Sequence, residues 1–176
     1  MGTFNPDGLT NRELLALYGR VLDTLRSRGV IRSANNPLAD YAEGLCVAAL
    51  SLTLAAKCTT GYDGIDPNGH KIEVKARRLT QQNGSRQLSA IRGIDSAHFD
   101  YLAGILFDAD FSVMKGCLIP HAVVREHGSN NMHTHSHRFL LRDSVWSLDG
   151  VRDITEALQA AESRAGQREL TSLPST

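Results

Sequence analysis

Asp63, Glu73 and Lys75 flank a short segment, Asp66-Pro67-Asn68-Gly69, in which each successive position holds a turn-favouring residue. Asp opens such turns, Pro carries the fixed φ of the second position, Asn suits the third and Gly the fourth. A three-residue loop of Pro67, Asn68 and Gly69, with Gly69 in the left-handed bulge position, leaves residues 66 and 70 as its flanks. That register predicts a β-hairpin with Asp63 across from Glu73, and Lys75 two residues further along the same face. Two opposed carboxylates repel each other unless a cation lies between them. Mg²⁺ takes hard oxygen ligands, often one or two carboxylates completed by water, and Asp63, Glu73 and the main-chain carbonyl of Val74 form such a set. Lys75 then sets positive charge against a scissile phosphate and its attacking water, the metal lowering the pKa of that water. Asp66 is the rival ligand. Its place at the head of the turn is a sufficient structural reason for it, and the register puts it on the opposite face from Glu73.

Asp63 followed at hairpin distance by Glu73-Val74-Lys75 resembles the PD-(D/E)xK nuclease superfamily, which includes restriction endonucleases and the archaeal Holliday-junction resolvases. The phrase Gly61-Tyr62-Asp63 leading to Ile72-Glu73-Val74-Lys75 is most similar to methyl-directed restriction and other defence-associated members, with Tyr62 where many members carry proline. The match covers residues 61–78, and the order of flanking elements agrees over roughly 36–125. The resemblance implies an α/β fold of the restriction-endonuclease-like kind: a mixed sheet flanked by helices, helices first and then the hairpin that carries the site. It implies Mg²⁺, with Mn²⁺ as a substitute, and hydrolysis of DNA phosphodiester bonds in restriction, phage defence or DNA processing. Asp63 and Glu73 take the ligand positions and Lys75 that of the catalytic lysine. Several branches also place a glutamate beside the metal from the helix before the hairpin, which by resemblance is Glu43. The residues alone give Glu43 an apolar helical surround of Ala39, Cys46 and Val47, and a buried acid usually has a partner. A reading from a different class is a nuclease-fold module that binds nucleic acid, DNA or RNA, or regulates a partner without cutting.

Formal net charge is zero, with 19 basic and 19 acidic residues, so nucleic-acid contact must be local. Between Lys71 and Arg92 the only acid is Glu73. Arg77, Arg78, Arg86, Gln87 and Arg92 are the candidate contacts to phosphate there, although a solvated strand and polar loop would explain the same residues. A cut through both strands of a duplex needs two sites, which a two-fold dimer would supply; nothing in the chain identifies an interface. His133, His135 and His137 alternate, so a strand would project all three to one face, and imidazole is a common zinc ligand. Neighbours on one face of a strand stand ~6.5 to 7 Å apart, too far to share one ion without bending the strand. A polar strand or DNA-facing edge is the preferred reading, with a zinc-dependent hydrolase as the alternative. His70 and His98 carry no spacing signal.

The elements that must position these residues are legible from periodicity. Thr10 and Glu13 have capping-box spacing, and apolar residues from Leu14 to Leu25 recur at helical intervals until Gly29, predicting an amphipathic helix over 11–28. Asn36 and Pro37 open a second, mostly buried helix running to about residue 56. After the hairpin, 80–89 reads as a loop. Residues 99–107 and 112–119 read as an antiparallel pair of buried strands closed by Pro120. A short helix over 121–127, a loop over 128–132, a strand over 133–142 and a helix over 155–164 follow, with one domain over 1–165 and a flexible tail over 166–176.

A chain of 176 residues, 41% hydrophobic and 22% charged, suits one soluble α/β unit. No segment has the ~20 apolar residues that span a bilayer, and the N-terminal residues lack a signal-peptide pattern, so a cytoplasmic location without membrane contact is expected. Cys46, Cys58 and Cys117 are odd in number and widely spaced, which suits buried apolar residues rather than disulfides or a zinc knuckle.

Overall fold

A mixed six-stranded sheet organises the molecule, whose computed structural model describes residues 5–33, 36–56, 61–131 and 136–172. Two helices come first, α1 (Asn11–Ser27) and α2 (Pro37–Leu50), then the short strands β1 (Thr53–Leu54) and β2 (Gly64–Ile65) and the long β3 (Lys71–Arg78). Next are β4 (Ile91–Arg92), β5 (Tyr101–Phe107), β6 (Val113–Pro120), α3 (His121–His127), β7 (Ser129–Asn131), β8 (Ser136–Arg138), β9 (Arg152–Asp153) and α4 (Thr155–Ser172). Strand order in the large sheet is β1-β2-β3-β5-β6-β9; only β3 and β5 run parallel, and the other pairs are antiparallel. Strands β4, β8 and β7 form a separate three-stranded sheet. The expected α/β class with a mixed sheet flanked by helices is therefore present.

Side-chain alternation along β3, β5 and β6 divides the apolar residues between two cores. Ile72, Val74, Ala103, Ile105, Phe107 and Leu118 pack on one face, under Leu45 and Cys46 of α2 and Leu158 and Ala161 of α4. Leu102, Leu106, Cys117 and Ile119 pack on the other, against Leu88, Ile91, Val124, Phe139 and Leu141. Cys46 and Cys117 are buried apolar residues as expected, and Cys58 lies outside the described residues. Polar side chains anchor α4 to the edge of β6: Gln159 donates to the Val113 carbonyl at 3.0 Å, and Thr155 Oγ1 accepts from the Gly116 N–H at 3.0 Å. Leu158 packs directly over Gly116, where a Cβ would stand 2.3 Å from its Cδ1 and make that side chain shift.

The capping box at Thr10 and Glu13 forms with both of its hydrogen bonds, and α1 ends one residue before the predicted limit. None of its residues is buried, however, and Leu15 and Tyr18 are 71% and 56% exposed. Its amphipathic pattern reflects a helix whose apolar side is not covered by the described part of the chain.

Helix α2 begins as expected, with Asn36 Oδ1 accepting from the Leu38 N–H at 3.0 Å, but it stops at Leu50 rather than near 56. Ser51 turns left-handed at φ 55°, and Thr53 and Leu54 pair with Ile65 and Gly64 as an edge strand. Backbone pairing with β2 overrides the helical run of the sequence. Residues 129–131, expected in a loop, pair with β8 as β7. The strand expected over 133–142 is present as β8 over 136–138, and residues 132–135 lie outside the described set. Helix α4 continues to Ser172, into the segment expected to be a tail, where Gln167, Arg168, Glu169 and Leu170 are all good helix formers.

Candidate functional site

The turn that orders the site has the expected construction. The Gly69 N–H donates to the Asp66 carbonyl at 2.9 Å, the Asp66 N–H to the His70 carbonyl at 2.9 Å, and Gly69 has φ +87°. Asp66 is consumed by the turn: its Oδ1 accepts from the N–H groups of Asn68 and His70 at 2.8 and 2.9 Å, and its Oδ2 lies 3.0 Å from His70 Nδ1. Below the turn, Ile65 pairs with Lys71 and Gly64 with Ile72, in the register predicted.

At Asp63 the register departs from that prediction. The Asp63 N–H donates to the Ile72 carbonyl at 2.8 Å, so residues 63 and 64 both face Ile72, as in a β-bulge, and Asp63 is not squarely opposite Glu73. The Asp63 side chain instead reaches along β3, where its Oδ2 accepts from the Val74 N–H at 2.7 Å. Direct opposition would have left two carboxylates facing each other; the bulge exchanges that repulsion for a charge-assisted hydrogen bond. The N–H and carbonyl of one strand residue leave the strand on the same side, so the Val74 carbonyl also faces the Asp63 arm.

Glu73 and Lys75 alternate with Ile72, Val74 and Ala76 and so lie on the opposite face of β3 from the α2 side of the core. Glu73 is only 6% exposed. Its Oε1 is 2.6 Å from Lys75 Nζ, and its Oε2 is buried with no hydrogen-bond partner among the described residues. Burial pushes the Glu73 carboxyl above the usual range; Lys75 opposes this, the negative charge of Asp63 adds to it, and His98 opposes it. His98, which no spacing singled out, is therefore part of this electrostatic group. It is seated against two glycines, Gly61 at φ +93° and Gly93 at φ +62°, where a Cβ would lie 2.3 Å from His98 Cβ and 3.1 Å from its Cδ2 respectively.

Glu43 projects from α2 into a cleft of about 270 Å³ that Asp63 also lines, together with Arg32, Ser33, Asp40 and Tyr62. Its partner is Arg32, which forms an ion pair with it. Burial and then the charge of Asp63 raise the Glu43 carboxyl, and Arg32 opposes both. Asp40 holds the chain at Arg32 by accepting from the N–H groups of Arg32 and Ser33 at 2.7 and 2.8 Å. Arg32 and Asp40 carried no sequence signal, because their relation to Glu43 depends on how the segment before α2 folds back on it.

The fold thus brings Asp63, Glu73, Val74 and Lys75 together, while Glu43, on the α2 side, shares a cleft with Asp63 that Glu73 and Lys75 do not line. Among the described residues, no group of three or more His, Cys, Asp or Glu side chains could hold a metal ion. A hard cation here would rest on Asp63, Glu73 and the Val74 carbonyl, with water completing its shell, and the unpartnered Oε2 of Glu73 suits that role.

The basic residues of 71–92 do not form one free strip. Arg77 Nε donates to the Ser85 carbonyl at 3.1 Å, and Arg86 pairs with Asp143 at 2.9 Å. Arg78 binds the Ala109 carbonyl through Nε at 2.9 Å and lies 4.2 Å from the Phe111 ring centroid. The exposed side chains of Gln87 and Arg92 have no partner among the described residues. His137 is buried, with Nδ1 2.8 Å from Asn130 Oδ1 and Nε2 3.0 Å from the Val124 carbonyl, so both ring nitrogens are committed to the protein. His133 and His135 lie outside the described residues. Among the described residues no helix is long and apolar enough to cross a membrane.

No protein-family model matches the chain, and comparison with curated proteins finds no match either.

Proposed function

We propose that the protein is a metal-dependent nuclease of the restriction-endonuclease-like fold, hydrolysing DNA phosphodiester bonds with Mg²⁺ or Mn²⁺. The observation that carries this reading is the buried Glu73, held against Lys75 with one oxygen that has no partner among the described residues, next to an Asp63 whose carboxylate is fastened to the same strand. A buried carboxylate oxygen without a partner costs several kcal/mol in a protein interior unless a ligand satisfies it, and functional sites are where such costs persist. Asp63, Glu73 and the Val74 carbonyl would hold the ion, with Glu43 acting from across the cleft. Mg²⁺ bound there supplies Lewis acidity and an acidified water. Lys75 holds positive charge where the pentacoordinate transition state at phosphorus would build up negative charge. Its ammonium, held at 2.6 Å from Glu73 Oε1, would be available to the phosphate where that carboxylate is shared with a cation. Gln87 and Arg92 are the members of the basic segment available to the DNA backbone. The setting is cytoplasmic, with a two-fold dimer as the assembly for cutting both strands of a duplex.

The test is incubation of the protein with plasmid and Mg²⁺ or Mn²⁺, beside Lys75→Ala. Cutting that needs metal and falls by about 10²-fold or more in the variant is expected, the size seen when one transition-state charge partner is lost. Absence of cutting across several DNA and RNA substrates would reject it. The ion pairs Glu73–Lys75 and Glu43–Arg32 favour a second reading, since both acids have cationic partners without metal: a nuclease-fold module that binds nucleic acid without cutting it.

A further inference from the structure

A second and larger cleft, of about 410 Å³, opens between α3, the β7–β8 pair and the 3-10 turn Asp143–Ser147. None of its lining residues belongs to the hairpin site or to the cleft at Glu43. Residues 138–142 build one wall of it. Phe139 and Leu141 are buried in the core while Arg138, Leu140 and Arg142 are exposed, the Leu140 backbone is bridged to Gln87, and the chain turns at Leu141, where the Arg142 N–H donates to the Leu140 carbonyl at 2.9 Å. Arg138, Leu140 and Arg142 all line the cleft. His127, at the end of α3, lines it as well.

Among the described residues the charge of this cleft is uncompensated. Neither arginine side chain nor the His127 ring has a hydrogen-bond or ion-pair partner among the described residues, and the lining includes no Asp or Glu. Asp143, adjacent in sequence to Arg142, is committed to Arg86 at 2.9 Å and Lys115 at 2.8 Å. Ser129, Ser144 and Gln87 add neutral hydrogen-bonding side chains, and Leu140, Val145 and Leu148 an apolar wall. The volume lies within the range of about 300–1,000 Å³ typical of small-ligand sites. Guanidinium forks match phosphate oxygens, and two of them beside an imidazole suit a dianion better than a single carboxylate.

We propose that this cleft binds a phosphate monoester attached to an apolar or aromatic body, as in a nucleoside monophosphate or the 5′-phosphorylated end of a nucleic-acid strand. The phosphate sits between Arg138 and Arg142, and the base or sugar lies along Leu140 and Leu148. The site does not depend on the nuclease reading, since it uses none of Glu43, Asp63, Glu73 and Lys75 and needs no metal; Gln87 alone belongs both to the cleft and to the basic segment.

The test measures binding in EDTA, by fluorescence anisotropy with a 3′-labelled oligonucleotide carrying either a 5′-phosphate or a 5′-hydroxyl, and by calorimetry with AMP against adenosine. At least tenfold tighter binding of a phosphorylated ligand than of its unphosphorylated counterpart is expected. That preference disappears in Arg138→Ala/Arg142→Ala, and Arg142→Lys keeps part of it. A preference in the oligonucleotide alone assigns the cleft to a strand end, and one in AMP to a free nucleotide. Equal binding of phosphorylated and unphosphorylated ligands, or a preference that survives the double variant, overturns the proposal. Circular dichroism melting confirms that each variant is folded, and Lys75→Ala retains the preference whether or not the protein cuts DNA.

Discussion

Glu73 is the residue at which burial, charge and hydrogen bonding conflict most. Its carboxyl titrates above the usual range chiefly because it is buried, so the metal-free protein gains from protonating it. A raised folded pKa gives stability that is fully present below the ordinary carboxylate value and lost as pH rises through the folded value. In EDTA at pH 8, Glu73→Gln should therefore melt above the wild type, by about 2–4 °C if it relieves about 1 kcal/mol. The gap should close as pH falls toward about 4.3, the ordinary glutamate value. A gap that widened on acidification would contradict the assignment. His98 can be tested from the residue behind it. Gly61→Ala must accommodate both a φ of +93° and a Cβ 2.3 Å from His98 Cβ, and should lower stability by about 1–3 kcal/mol in urea unfolding. His98→Ala removes Cγ and Cδ2, which would stand 2.7 and 3.2 Å from the new Cβ, but keeps the Cβ at 2.3 Å, so it should restore only the ring's share of the steric loss, a coupling that a double-mutant cycle reads directly.

At the level of elements, α1 and α4 differ in what holds them. The capping box of α1 is complete, and removing it with Thr10→Ala should cost the helix about 1 kcal/mol. Because α1 buries no residue, that loss belongs to local fraying. Faster amide exchange over residues 11–27 with an unchanged global melting point is the expected result; a drop in the global midpoint would mean that α1 is docked in solution. Helix α4 instead carries Leu158, which is fully buried over the sheet beside Gly116. The bulge at Asp63 is a device of the same scale: one residue out of register moves a carboxylate from facing Glu73 to gripping the Val74 N–H.

For the whole molecule, β5 and β6 contribute side chains to the cores on both faces of the sheet, so neither core can be lost alone. Leu158→Ala should lower stability by about 2–5 kcal/mol through lost burial and the cavity left behind. The transition should stay single, with fluorescence of Trp146, which packs against the other core, and far-ultraviolet circular dichroism reporting one midpoint. Two separated transitions would mean that the two layers fold independently. The clefts at Glu43 and at Arg138 arise where loops and short strands meet the edges of this sheet.

Local order was decided by the sequence itself: the Asp66-Pro67-Asn68-Gly69 turn and its register as far as Gly64, the Thr10–Glu13 box, the Asn36-Pro37 start of α2, α3 over 121–127 and the antiparallel strand pair that ends at Pro120. Each depends on residues a few positions apart, whose φ preferences and hydrogen-bonding reach are properties of the chain. Of the candidate site, Glu73 and Lys75 on one strand face belong to that category. Tertiary structure decided what depends on competition between distant groups. Thr53 and Leu54 became a strand because β2 offered them partners, and Asp63 left register because Val74 offered it an N–H. Glu43 found Arg32, and His98 came to stand by Glu73 in a space that two glycines leave open. Arg77, Arg78 and Arg86 were drawn to nearby carbonyls and a carboxylate, while Arg138 and Arg142 line a cleft with no partner among the described residues. Charge along a sequence counts cations, but only the packed chain determines which of them already has an acceptor.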